Sequence, residues 1–272
     1  MVFSSNIFLI YFLPIFLIFY FITPKNWRNV VLLLFSLVFY AYGAPDFILL
    51  LVGSCVANFY LVKLMHNAKN QLSKKLYCAA AIVISLGLLV YYKYANFFVE
   101  NINLLLEAFG AHTITFAKVL LPIGISFFTF QSITYVIDTY RGNNQPMDRL
   151  HDYVLYIMMF PQLIAGPIVR YCDIEQEIRH RNYDWNEALH GFYRFIIGLS
   201  KKVLISDVIG IQVDKMLAGD IALMDSGTAW ITIIGYTMQL YFDFSGYSDM
   251  AIGLGKIMGF HFPENFDNPY NS

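Results

Sequence analysis

Of the chain's 272 residues, 58 % are hydrophobic, 18 % aromatic and only 14 % charged, against about 25 % charged in ordinary soluble domains. A core large enough to hide that much apolar surface does not fit this length, so lipid is the missing solvent. A net charge of -1 argues against nucleic acid as a partner.

The chain opens with MVFSSNIFLIYFLPIFLIFYFIT, which has no basic leader and no small-residue cleavage site after its apolar run, and so reads as a retained first span. Apolar runs of bilayer length, about 17–25 residues, or somewhat shorter recur at 7–23, 30–42, 47–62 and 76–92. Further candidates lie at 119–137, 154–169, 192–211 and 229–242, with a last one starting near Tyr247. The predicted fold is all-α: one polytopic membrane-embedded domain over 1–272, with roughly 7–9 embedded helices, one of them a re-entrant candidate. No linker, repeat or soluble boundary divides it. Lys25 and Arg28 follow the first span, and Lys63, Lys69, Lys74 and Lys75 follow the third. The loop YGAPD after the second span carries no positive charge, so the positive-inside rule puts the N-terminus outside. If the amphipathic stretch 96–117 stays on the outer face, Arg141 and Arg149 return to the cytoplasm. The three cysteines, Cys55, Cys78 and Cys172, are widely spaced with no CxxC pair and read as buried free thiols.

A carboxylate in mid-membrane costs about 2.5–3.5 kcal/mol on insertion scales, so such residues face a bundle interior or a wet cavity. Three stretches incur that kind of cost. In LPIGISFFTFQSITYVIDTYRG, Gln131, Thr134, Tyr135 and Asp138 fall on one helical face, lining either a cavity or a plain hydrogen-bonded helix contact. In MMFPQLIAGPIVRYCDI, Pro161 and Pro167 flank Gln162, and Gly166 adjoins the second proline. Two prolines so close break a helix. The segment is then either a re-entrant wall ending at Arg170 or a kinked span whose arginine snorkels to the interface. In QLYFDFSGYSDMAIG, Asp243 shares a face with Gly246 and Tyr247, and Ser245 with Ser248 and Asp249. The aspartates are six apart and do not stack, so they read as structural anchors taking donors from neighbouring helices. Lys201 and Lys202 meet lipid headgroups or a phosphorylated ligand. The six histidines show no metal-like spacing, and neither a GxSxG nor a Walker-type loop is present.

These islands carry a resemblance. MVFSSNIFLIYFLP, LPIGISFFTFQSITYVIDTYRG, FPQLIAGPIVRY and YFDFSGYSDMAIGLGKIMGFHFPENFDNPY resemble the membrane-bound O-acyltransferase family, in its bacterial alginate O-acetyltransferase-like branch. The resemblance implies a polytopic enzyme of the inner or plasma membrane, with no bound cofactor. It would draw an acetyl group from acyl-CoA on the cytoplasmic side and pass it across the membrane. A periplasmic or extracellular acetyltransferase partner would then place it on an exopolysaccharide. A related branch transfers D-alanine to teichoic acid. The family's catalytic histidine stands in a segment like FWRRWHISLS, with a second in a WHG-like motif. Neither occurs here, so the resemblance assigns no catalytic residue, implies the N-terminal part of the enzyme, and predicts no turnover by residues 1–272 alone.

On this reading Gln131, Tyr135 and Asp138 line a tunnel, and Pro161, Gln162, Gly166, Pro167 and Arg170 shape its wall. Asp243, Ser245, Tyr247 and Asp249 form a polar anchor, and replacing either aspartate by alanine is expected to lower activity or yield severely. The rival reading is a non-catalytic transporter or channel subunit for a polysaccharide or lipid-linked precursor. Cysteine tagging tests the orientation: sites introduced at 66–72 should label only from the cytoplasm, and labelling only from outside would reverse it.

Overall fold

The computed structural model describes residues 1–164, 166–167, 169–219 and 224–267, and every regular element among them is helical. In chain order, a π-helical turn, Ile7–Phe12, runs into α1, Leu13–Ile22. There follow α2, Arg28–Gly43; α3, Ile48–Asn67; α4, Gln71–Ala108; and α5, Ile125–Arg141. Next come α6, Leu150–Met158, a single turn α7, Phe160–Leu163, and α8, Tyr171–Arg179. A π-helical turn, Lys201–Ser206, joins α9, Trp185–Ser200, to α10, Asp207–Leu217. The last helix is α11, Ser226–Met258.

Two helical stretches, Pro45–Asn67 and Gln71–Ala108, are long and apolar enough to cross a membrane, and Ile7–Ile22 is a shorter apolar helix. The runs at 229–242 and from Tyr247 belong to one unbroken helix of 33 residues, because no proline interrupts it and Gly246 is accommodated by close packing. The run at 192–211 likewise lies within helical backbone from Trp185 to Leu217. The start of α5 is set by Pro122 and by Gly124, whose φ of 77° is left-handed. Cys55 and Cys78 are buried, but Cys172 is exposed. It sits at the start of the charged helix α8, YCDIEQEIR, and not in an apolar span.

The chain forms two compact units, Leu33–Met159 and Met1–Leu32 together with Phe160–Ser272. In the first, α3 packs on α4, α5 and α6. A polar contact ties α3 to α4 deep inside: Asn58 Nδ2 donates to Ser85 Oγ at 2.9 Å, and that hydroxyl donates to the Ala81 carbonyl. Past α4 the chain doubles back along it. The side-chain amides of Asn96 and Asn103, two turns apart on one face, each clamp one returning residue by both its N–H and its C=O, Val119 and Ile114.

The second unit is organised by α11, on which α9, the π turn, α10 and α7 all pack. Two glycine pairs set the spacing. A Cβ on Gly198 would stand 2.5 Å from the Gly246 carbonyl, and one on Gly253 2.5 Å from that of Gly191. The reciprocal pairing, 191 with 253 and 198 with 246, makes the helices antiparallel with their backbones nearly touching. Beside Gly246, Phe3 stacks on Tyr247 with centroids 4.5 Å apart, and at the end of α11 Tyr20 donates to the Met258 carbonyl.

Gly198→Ala should therefore destabilise the purified protein by about 1–3 kcal/mol, the usual cost of overpacking. Gly53→Ala, with nothing within 4 Å of the added methyl, should be neutral or stabilising. Thermal unfolding in detergent checks the contrast, and equal melting temperatures for the two variants would refute the close approach.

Candidate functional site

The glycine contacts bring the level of Arg194, between Gly191 and Gly198, beside the level of Asp249, between Gly246 and Gly253. Arg194 donates from Nε at 3.0 Å and from Nη2 at 2.9 Å to Asp249 Oδ1. Its Nη1 and Nη2 also grip both carboxylate oxygens of Glu264, on the segment that follows α11. The other oxygen of Asp249 accepts from Lys201 Nζ at 2.6 Å. Lys202 turns to the neighbouring acids instead, 2.7 Å from Asp243 and 2.8 Å from Asp207. Adjacent lysines on the π turn thus divide the two aspartates of α11 between them. The cations that the sequence left to headgroups or a phosphorylated ligand pair with carboxylates of this chain.

The two aspartates sit in different surroundings. The Asp249 side chain keeps 13 % of its exposure, whereas that of Asp243 keeps 48 %. Helical spacing holds them apart, and α11 runs unbroken past Gly246, so they share neither a proton nor a cation. The hydroxyls of Ser245 and Ser248 are buried and without a partner among the described residues.

The other two stretches lie elsewhere. On α5, Gln131 and Tyr135 are buried while Thr134 and Asp138 are half-exposed. The Tyr135 hydroxyl accepts from the Met147 N–H at 2.8 Å, and Asp138 takes a long contact from Asn143. The amide oxygen of Gln131 is buried with no partner among the described residues. Around the prolines the helix breaks at Met159, resumes for one turn over Phe160–Leu163, and breaks again until Tyr171. Pro161, Gln162, Gly166 and Pro167 are buried there, while Arg170 is exposed. Gly166 lies so close to the Pro161–Gln162 backbone that a Cβ would stand 2.6 Å from the Gln162 Cα, so the segment folds tightly on itself. Arg170 uses its backbone N–H, which donates to Asp173.

Residues 147–271 match the model of the membrane-bound O-acyltransferase family. Over its whole length the chain is 43 % identical to a probable alginate O-acetylase of Pseudomonas aeruginosa and 35 % identical to a peptidoglycan O-acetyltransferase of Helicobacter pylori. Residues 147–271 thus carry a membrane-bound O-acyltransferase domain. The chain covers 52 % and 57 % of those two proteins, so it spans about half the length of the curated relatives it matches. A teichoic acid D-alanyltransferase of Bacillus subtilis is 31 % identical over 55 % of this chain, which covers 38 % of that protein.

Within the O-acyltransferase match lie the proline-broken segment and the whole charged cluster, while the α5 stripe precedes it. Sequence reading missed Arg194, Glu264, Glu177, Glu187 and His261. The signal for Arg194 was present: small residues seven apart in both 191/198 and 246/253 mark two helix faces able to touch, with a charge of opposite sign between each pair.

Asp249→Ala takes the carboxylate from Lys201 and leaves Arg194 with Glu264 alone; the two cations' side chains are 30 % and 26 % exposed. The expected loss is about 2–3 kcal/mol, below the about 3–5 kcal/mol of fully buried pairs. Asp243→Ala, on a half-exposed group, should cost about 0–1 kcal/mol. The two aspartates are therefore unequal, in contrast to the sequence expectation. Thermal unfolding of the purified variants measures the gap, and an equal loss for both would contradict this assignment.

Proposed function

We propose that this chain forms part of a membrane O-acyltransferase that carries an acetyl group from acyl-CoA on the cytoplasmic side to the hydroxyls of an extracellular, alginate-like polysaccharide. The supporting observation is the 43 % identity along the entire chain to a probable alginate O-acetylase. In this proposal the protein sits in the inner or plasma membrane as a multi-pass enzyme and hands the acyl group to a periplasmic or extracellular acetyltransferase. Gln131, Tyr135 and Asp138 line the path of the acyl group. In the other unit, Pro161, Gln162, Gly166, Pro167 and Arg170 shape a wall, since broken backbone at membrane depth is tolerated where it is enclosed by protein or lines a cavity. Ser245, Tyr247 and Asp249 anchor α11 beside it, while the half-exposed Asp243, a fourth anchor on the sequence expectation, adds little.

Acyl transfer to a hydroxyl requires a base that takes the proton and donors that hold the developing oxyanion. His261 is not proposed for that step, because both of its ring nitrogens are held by carboxylates. The acetyl content of the exopolysaccharide, measured by NMR in a deletion strain complemented with the complete reading frame, tests the proposal. Acetylation should vanish on deletion and return with the wild-type gene. It should fall several-fold with Asp249→Ala and stay near wild type with Asp243→Ala. Unchanged acetylation in the deletion strain would refute it. Loss of the polymer itself would favour a transport subunit, and loss of D-alanine from teichoic acid would favour the other acyl group.

A further inference from the structure

The end of α11 is fixed by Gly259, whose φ of 83° turns the chain out of the helix. Beyond it Phe260 and Phe262 point inward and are buried, so His261 between them is left on the outside. There it meets two acids from two different helices. Nδ1 lies 2.6 Å from Glu177 on α8, and Nε2 lies 2.7 Å from Glu187 on α9. The second oxygen of Glu177 also accepts the backbone N–H of His261 at 2.9 Å. Ionised carboxylates only accept hydrogen bonds, so a ring that meets one at each nitrogen must carry a proton on both. Three residues later Glu264 is taken by Arg194.

We propose that Glu177, His261 and Glu187 form a pH-sensitive latch that pins the segment after α11 to α8 and α9. The other charged groups on the elements around it are Asp173 and Arg179 on α8, the latter paired with Glu175; Arg181 just beyond, stacked over Phe260; His190 and Arg194 on α9; Asp243, Asp249 and Lys256 on α11; and Glu264 and Asp267 on the segment itself. Glu177 and Glu187 are the acids that touch the ring. Burial lowers the His261 pKa, but the hydrogen bonds and charges of Glu177 and Glu187 outweigh it, and the net shift is upward from 6.5. A group whose pKa is raised on folding stabilises below its unfolded value and loses that contribution as pH rises through the raised one. The latch is therefore closed in mild acid and opens as the solution becomes alkaline. It concerns the chain's own folding and stands whichever acyl group or acceptor the protein serves.

Hydrogen–deuterium exchange of residues 259–267 in the purified chain, from about pH 6 to about pH 9 and corrected for intrinsic base catalysis, reads the latch directly. The opening constant should rise about tenfold per pH unit above about 6.5 and level off beyond the raised pKa. His261→Gln should be open and flat across the range. The double variant Glu177→Gln, Glu187→Gln should be more open already at the acid end. A flat wild-type profile, or a His261→Gln variant that keeps the wild-type slope, overturns the proposal. Exchange in α9 and α11 reports whether each variant folds. The wild-type series needs no substitution and is decisive by itself.

Discussion

The close passage of α9 and α11 is the constraint on which the second unit depends. Helices usually keep about 8–10 Å between their axes because side chains stand between them. Here glycines remove the side chains at two levels one heptad apart, and the backbones meet. A heptad on each helix keeps both contacts on one face, so the residues between them must meet as well. That is why Arg194 reaches Asp249 with two of its nitrogens and still reaches Glu264 with the far edge of the guanidinium.

Such a cluster is expensive to assemble in a low-dielectric setting, because desolvating each ion costs several kcal/mol before any pairing is counted. The arrangement recovers much of this by sharing: Asp249 has one oxygen on Arg194 and the other on Lys201, and Arg194 spreads its donors over two carboxylates. Asp249 is the member common to both cations, so its loss disturbs the cluster most, and the cluster acts more as a lock on helix register than as a source of net stability. Around Lys202 the regime differs: its two acids, Asp243 and Asp207, are about half-exposed and share the one lysine, so water screens them and either acid is dispensable.

Much of this was legible in the residues. Apolar runs gave a helical membrane protein, and helical spacing alone separated Asp243 from Asp249. The prolines at 161 and 167 marked the place where the backbone breaks. What escaped was tertiary. Arg194 sits in GFYRFIIG, which reads as part of a span unless its glycines are compared with those of α11. Glu177, Glu187 and His261 are separated by up to 84 positions, and no local pattern joins them. Lys201 and Lys202 looked like an interfacial pair because their partners lie on another helix and in the next turn.

The segment that returns along α4 has a consequence for depth. Asn96 and Asn103 satisfy the backbone of Val119 and Ile114, but the peptide groups of Thr113, Thr115, Phe116, Ala117 and Lys118 find no partner among the described residues. Bare peptide groups are not tolerated in hydrocarbon, where each costs several kcal/mol. α4 is 38 residues long, about 57 Å at 1.5 Å per residue, against a hydrocarbon core of about 30 Å. A helix of that length exceeds the hydrocarbon core, and the segment that returns along it straps its far third. The two asparagines stand in for the missing backbone partners at two levels, so an irregular segment can run beside α4 without pairing to a strand.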